Sequence, residues 1–163
     1  MTTGPDVFDP DGVEWSRVSP QLARLRRAVL LGTGGGLVVA AAALAVFVSP
    51  LFWLAEFVPL VGLAAGWGII GRQVAAYGYA ERADDLLVRR GVMFRNLVVV
   101  PYGRMQFVDV QAGPLERAFD VARVQLHTAS AGTDALIPGL PPEEAARLRD
   151  RLASRGQARL AGL

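Results

Sequence analysis

The sequence predicts an α+β fold in which a transmembrane α-hairpin is followed by a small β-rich domain that ends in one C-terminal helix. Two apolar stretches predict the hairpin: residues 28–48 carry no charge, and residues 51–71 carry only Glu56. An α-helix needs about 20 apolar residues to cross ~30 Å of hydrocarbon, and each stretch is close to that length. The β-rich domain is predicted because short β-branched runs replace the long apolar stretches after residue 76.

The arginines near the hairpin predict its orientation. They lie outside both spans, four before the pair and two soon after it: Arg17, Arg24, Arg26, Arg27, Arg72 and Arg82. Cytoplasmic flanks of membrane proteins carry an excess of basic residues. We therefore expect a multi-pass protein of the cell (plasma) membrane, with both termini in the cytoplasm and the 49–56 turn outside.

Two other interpretations of the apolar stretches stay open. The charge-free core of the second stretch, residues 57–71, is short enough for a buried helix of a soluble protein. The first stretch could instead be a cleaved signal peptide, because residues 43–45 (ALA) have the small-x-small pattern of a cleavage site. A hairpin is favoured because Glu56, Phe52 and Trp53 suit the outer interface of a membrane. Without a second crossing, most of the arginines would also be left outside.

These signals divide the chain into four parts. We expect a flexible N-terminal tail at residues 1–18 and a two-helix hairpin at 19–76, with spans at about 28–48 and 53–71. A cytoplasmic domain is expected at 77–156 and a C-terminal tail at 157–163. The N-terminal tail is predicted from its acids, prolines and glycines, which leave too little apolar surface to pack. Ser19 followed by Pro20 is typical of a helix start.

Glycines in both spans predict close packing of the two helices. Gly32 and Gly36 have the small-xxx-small spacing, and Gly62 and Gly66 repeat it in the second span. In an antiparallel hairpin these glycines fall at similar depth, where the backbones could approach closely. Glycine is also simply common in transmembrane helices, and packing against other protein chains stays open. No charge lies deep in either span, which disfavours a transport function.

After residue 76 the pattern predicts five strands and one long helix. A hairpin turning near Gly91 joins the first two strands. The strand at 105–111 should contain a bulge because the parity of its apolar residues changes, and the strand at 121–128 alternates cleanly between apolar and polar residues. The helix opens with two prolines and two acids after residue 140, and Gly156 is expected to end it.

Several motifs in this part of the chain resemble those of a known family. They are LVRRGV at 87–92, VPYGRMQ at 100–106 followed by VDV at 108–110, GPLER at 113–117 and VQLHTA at 124–129. In this order they are similar to the bacterial pleckstrin-homology (PH)-like family, in its membrane form with two transmembrane helices before one PH-like domain. The resemblance implies a bent β-sheet or partial barrel with a C-terminal capping helix, and it implies no catalytic activity.

The inventory of reactive side chains argues against an enzyme. The chain has no cysteine and a single histidine, His127, which falls on the polar face of a predicted strand and reads as a surface residue. No nucleophile or phosphate-binding motif is present, and neither acid pair, Asp84–Asp85 nor Glu143–Glu144, suits a metal site. The 17 basic residues are all arginine and are not interleaved with aromatics as in nucleic-acid binding. We expect no cofactor, no metal and no nucleic-acid partner.

The most suggestive polar feature is a group of arginines at the predicted hairpin. Arg89 and Arg90 precede the turn and Arg95 follows it, with Met93 and Phe94 at the tip. Each arginine near an anionic membrane surface contributes about 1 kcal/mol to binding, so these three are candidate lipid-headgroup contacts. The alternative is that they only keep a sheet edge soluble.

The sequence therefore predicts a non-enzymatic integral membrane protein that presents a cytoplasmic PH-like module. Its expected partners are the lipid bilayer, anionic lipid headgroups, and protein partners or a second copy of the chain. The alternative is a structural subunit of a larger membrane assembly that packs through its glycine-rich helices.

Overall fold

A computed structural model gives the architecture, and it describes residues 10, 12–47, 49, 53–54, 56–129, 134–160 and 162. Most of the predicted N-terminal tail and parts of the hairpin turn lie outside these residues. In chain order the helices and strands are β1 (Ser16–Arg17), α1 (Gln21–Phe47), α2 (Phe57–Ala75), β2 (Gly78–Glu81), β3 (Asp85–Arg90), β4 (Asn96–Pro101), β5 (Met105–Gln111), α3 (Pro114–Ala118), β6 (Ala122–Thr128), β7 (Ala135–Leu140) and α4 (Pro142–Leu160). The predicted α+β class is confirmed.

Helices α1 and α2 are the two predicted spans. Their 27 and 19 residues give lengths of about 40 Å and 28 Å at 1.5 Å per residue. Their most apolar windows have mean hydropathies of 2.2 and 1.3, and only 6% of each window is buried inside the protein. The core helix of a soluble protein would be covered, so this exposure favours the span over that alternative. The predicted start is also present, because the Ser19 hydroxyl accepts a hydrogen bond from the Gln21 amide (3.2 Å).

The strands form two open antiparallel sheets, with orders β1-β2-β3-β4 and β5-β6-β7. The bulge predicted in β5 is present between Met105 and Phe107. Strand β6 alternates as predicted, with Val124 and Leu126 buried and Arg123, Gln125 and His127 half-buried. The short strands β1 and β2 were not predicted, because a two-residue and a four-residue strand carry too little pattern.

Helix α4 packs across the sheets through its predicted apolar stripe. Ala145, Leu148 and Leu152 are fully buried. The helix continues to Leu160, so the prediction that Gly156 ends it is wrong. Gly156 is buried where the helix passes the chain at Tyr102, whose carbonyl oxygen would lie 3.7 Å from a Cβ added there. That distance is an ordinary van der Waals contact, and Gly156 lacks the positive φ of a helix-terminating residue.

The hydrophobic core joins the domain to the hairpin. Val18 just before α1, Leu22 in its first turn and Val74 at the end of α2 belong to the same buried cluster as the sheet residues. The Ser19 amide donates a hydrogen bond to the Gly139 carbonyl (2.8 Å). Gly139 has a φ of +70°, and a Cβ there would lie 2.6 Å from that of Leu22. The predicted boundary between residues 76 and 77 therefore does not separate two cores.

Candidate functional site

The β3–β4 hairpin projects a short tip beside the membrane helices. Its register pairs Arg89 with Leu97 and Arg90 with Asn96. The predicted turn is confirmed at Gly91, whose φ is +98°, and a Cβ there would lie 1.9 Å from the Phe94 carbonyl oxygen. Only glycine therefore fits this turn.

A groove of about 1100 Å³ separates this tip from the adjoining ends of α1 and α2. Arg26 lies on the α1 side and Arg72 on the α2 side, and the hairpin contributes Arg90 and Arg95. Neither aspartate nor glutamate is among the described residues that line it. The groove is therefore strongly basic, and it is formed by three separate parts of the chain.

Aromatic rings hold the arginines at the helix ends. The Arg26 guanidinium lies 5.6 Å from the centroid of the Tyr77 ring. The Arg27 guanidinium lies 4.6 Å from the Trp67 ring and packs against Gly71. Cation–π contacts of this kind orient a guanidinium without neutralising it, so these arginines keep their full charge for another partner.

The three arginines predicted as lipid contacts do not all lie at the same site in the structure. Arg90 and Arg95 line the groove. Arg89 instead stacks on Trp15, with its guanidinium 4.3 Å from the ring centroid, and it is outside the groove lining. The reason is strand geometry, because neighbouring residues on β3 point to opposite faces of the sheet. That alternation is a signal from which the separation of Arg89 and Arg90 could have been predicted.

Arg26 and Arg72 are the site residues that sequence reasoning missed. Both were interpreted only as charges that orient the hairpin, although each stands at the end of a helix. Their distance in sequence from the β3–β4 hairpin left no local pattern that could connect them to Arg90 and Arg95.

The opposite side of the domain, along α4, neutralises its arginines with acids. Arg151 and Arg155 lie 3.3 and 3.8 Å from a carboxylate oxygen of Glu81. Similar pairs join Arg82 to Asp85, Arg147 to Glu144 and Arg159 to Asp84. We call this surface the ion-paired face.

Two titrating groups belong to the ion-paired face. The Tyr79 hydroxyl donates a hydrogen bond to Glu144 (2.9 Å). Burial, and then this bond to a carboxylate, raise the pKa of Tyr79 to about 12. Hydrogen bonding from Arg147 holds the pKa of Glu144 below its ordinary value.

His127 lies on the outer face of the second sheet. Its ring stacks on Phe107 with a centroid separation of 4.2 Å, and its Nδ1 is 3.6 Å from an Asp134 carboxylate oxygen. The other oxygen of Asp134 accepts a hydrogen bond from the Thr128 amide (2.9 Å). Within the described ranges, no three His, Asp or Glu side chains are grouped so that they could hold a metal ion.

Leucine side chains of the facing helix pack on Gly34 and Gly66. A Cβ at Gly34 would lie 2.4 Å from Leu63, and one at Gly66 would lie 3.0 Å from Leu30. Of the four glycines predicted to pack, only Gly66 is thus at the contact. Gly32, Gly36 and Gly62 have no described atom of another helix within 4 Å of a Cβ position.

The chain is similar to one protein family and to one curated transmembrane protein. Residues 28–156 match the family model described as Bacterial PH domain. The UPF0699 transmembrane protein YdbS of Bacillus subtilis (strain 168) is 36% identical over 75 residues, which are 46% of this chain and 46% of that protein. The matched part of the chain thus spans about half the length of this curated relative. No solved structure matches.

Proposed function

The chain belongs to the bacterial PH domain family, and on that premise we propose that it is a non-enzymatic integral membrane protein that presents a PH-like module at the cytoplasmic surface of the cell membrane. The module serves to contact anionic lipid or protein partners there. Its two helices cross the membrane, and its domain remains beside the bilayer.

The shared core is the observation that carries this proposal. Leu22 and Val74 belong to the two membrane helices, yet both are buried in one cluster with the sheets. A domain on a flexible linker would sample many orientations, whereas this junction fixes one. The same surface of the domain therefore always faces the membrane, which suits a module that recognises something at the bilayer.

Charge supports the cytoplasmic orientation. Arg26, Arg27 and Arg72 stand at the helix ends nearest the domain, and the described part of the opposite turn contains no basic residue. Basic residues are retained on the cytoplasmic side during insertion. The domain and both chain ends then lie in the cytoplasm.

The composition of the groove supports a binding role. Arginines, aromatic and apolar residues line it, and its described lining includes neither a histidine nor a carboxylate that could act as a general base. Such a surface can hold an anion, and Tyr77 is the one titratable side chain besides the arginines in its described lining.

Cysteine labelling tests the orientation, because the chain contains no cysteine of its own. Ser154→Cys on α4 and Ser49→Cys at the hairpin turn would each be treated with a membrane-impermeant maleimide. We expect Ser49→Cys to react in intact cells and Ser154→Cys to react only after permeabilisation. Labelling of Ser154→Cys in intact cells would contradict the proposal.

A second candidate function is a subunit of a larger membrane assembly. It is favoured by Gly32 and Gly36, which leave one side of α1 open to another helix. Purification in mild detergent tests it: an assembly should shrink when both glycines are replaced with leucine, whereas a monodisperse monomer of the parent chain would exclude this candidate.

A further inference from the structure

We propose that the groove between the helix ends and the β3–β4 hairpin binds the phosphate-bearing headgroup of an anionic phospholipid from the adjoining leaflet. The inference deepens the proposed function, since it names the ligand class for the module and rests on the domain lying beside the bilayer. It also replaces the predicted set of Arg89, Arg90 and Arg95 with Arg26, Arg72, Arg90 and Arg95.

The charge of the groove favours a phosphate group as the ligand. Four guanidinium groups from three segments line one groove, and neither aspartate nor glutamate is among its described lining residues. Within the part of the chain that the structure describes, Arg72 and Arg90 form no ion pair. Guanidinium groups bind phosphate through paired hydrogen bonds, which makes arginine the residue best suited to a phosphate site. An anion in the groove would balance the charges of Arg72 and Arg90.

The position of the groove along α2 favours a membrane lipid as the ligand. Ile69 lines the same groove one helical turn before Arg72, about 4.5 Å further into α2. The groove therefore runs from the apolar surface of a membrane helix to a cluster of guanidinium groups. A phospholipid has this same order, with acyl chains next to a phosphate. A soluble phosphate or an acidic peptide would leave the apolar end of the groove unused.

The exposed apolar tip of the hairpin also favours contact with the membrane. Met93 and Phe94 are 82% and 81% exposed and lie beside Arg95. Apolar side chains flanked by arginine are typical of segments that enter the membrane interface while their charges remain at the headgroups. The glycine turn at Gly91 fixes the direction of the tip relative to the arginines.

Lipid selection by the full-length protein tests the site. The protein would be reconstituted in phosphatidylcholine nanodiscs, and the motionally restricted fraction of spin-labelled phosphatidylglycerol would be compared with that of spin-labelled phosphatidylcholine. We expect the parent to prefer phosphatidylglycerol. In Arg90→Gln/Arg95→Gln the preference should fall about fivefold for each arginine removed. These two positions are outside the spans, so the replacement should leave membrane insertion intact.

The matched control is Arg117→Gln/Arg149→Gln, which removes the same charge from exposed positions outside the groove. This variant should keep the parent's preference. Equal loss in both double variants would mean that net charge alone attracts the lipid, and unchanged preference in Arg90→Gln/Arg95→Gln would mean that the groove does not bind it; each result overturns the site. Displacement of the labelled lipid by inorganic phosphate alone would overturn the lipid assignment.

The result is separable from the orientation of the protein. A nanodisc exposes both membrane faces, so lipid selection is measured whichever side the domain occupies. If the parent protein showed no preference for phosphatidylglycerol while Ser154→Cys stayed protected in intact cells, the groove site would be overturned and the proposed function would stand.

Discussion

The groove and the ion-paired face use the same side chain in opposite ways. Along α4, Arg82, Arg151 and Arg155 each lie within 4 Å of a carboxylate oxygen. In the groove, Arg26 lies against an aromatic ring and Arg72 and Arg90 have no described acid partner. The arginines are therefore not a uniform solubilising coat: those along α4 are paired with carboxylates within the fold, whereas the groove gathers arginines without an acid in its described lining.

The largest effect on stability is expected from a replacement in the core that the domain shares with the two membrane helices. Leu22 is buried against Gly139 in the shared core. Leu22→Ala should lower the free energy of unfolding by about 2–5 kcal/mol, the usual range for a buried leucine. Denaturant unfolding in detergent, followed by circular dichroism, measures the change. Leu37→Ala, at a position of α1 that is 64% exposed, is the control and should change the stability little; an equal loss in both would contradict a shared core.

A matched pair of arginine replacements sharpens the comparison itself. Arg155 donates hydrogen bonds to the Tyr102 hydroxyl (2.8 Å) and the Arg82 carbonyl (3.0 Å). Arg155→Gln should therefore cost about 1 kcal/mol of stability in the same unfolding assay. Arg90→Gln should change it by less than about 0.5 kcal/mol. If Arg90→Gln were the more damaging replacement, the groove arginines would be structural and the division between the two surfaces would fail.

The smallest expected effect is the pH dependence of the ion-paired face. Hydrogen bonds from Arg147 and Tyr79 hold the pKa of Glu144 in the folded protein below its ordinary value of 4.5. The carboxylate therefore contributes stability above about pH 4.5, and this contribution is lost as the pH falls through the lowered pKa. Glu144→Gln should flatten the acid side of the stability profile. A profile as steep as the parent's would show that Glu144 does not contribute there.

Local sequence patterns predicted the elements that are held together by local physics. Both membrane helices followed from uninterrupted apolar residues, the turn followed from Gly91, and β6 followed from strict alternation. These signals lie within a few residues of one another, so no knowledge of the tertiary fold was needed.

The groove and the shared core depend on contacts that no local pattern records. Arg26 and Arg90 are more than 60 positions apart in the chain, and Leu22 meets Gly139 only after the sheets have formed. The helix end predicted at Gly156 was wrong because a glycine inside a helix looks the same in sequence as one that ends it. The family resemblance supplied the domain type, but it did not indicate which arginines would meet.

The depth of two spin labels tests most directly whether the groove faces the membrane and the ion-paired face looks away from it. Nitroxides attached to Met93→Cys at the hairpin tip and to Ser154→Cys on α4 would be compared in lipid bilayers for accessibility to oxygen and to a water-soluble nickel chelate. We expect the label at 93 to be relaxed more by oxygen, as in the membrane interface, and the label at 154 to be relaxed more by the chelate. If both labels were equally exposed to the chelate, the hairpin would stand free in water, and the proposed orientation of the module would be contradicted.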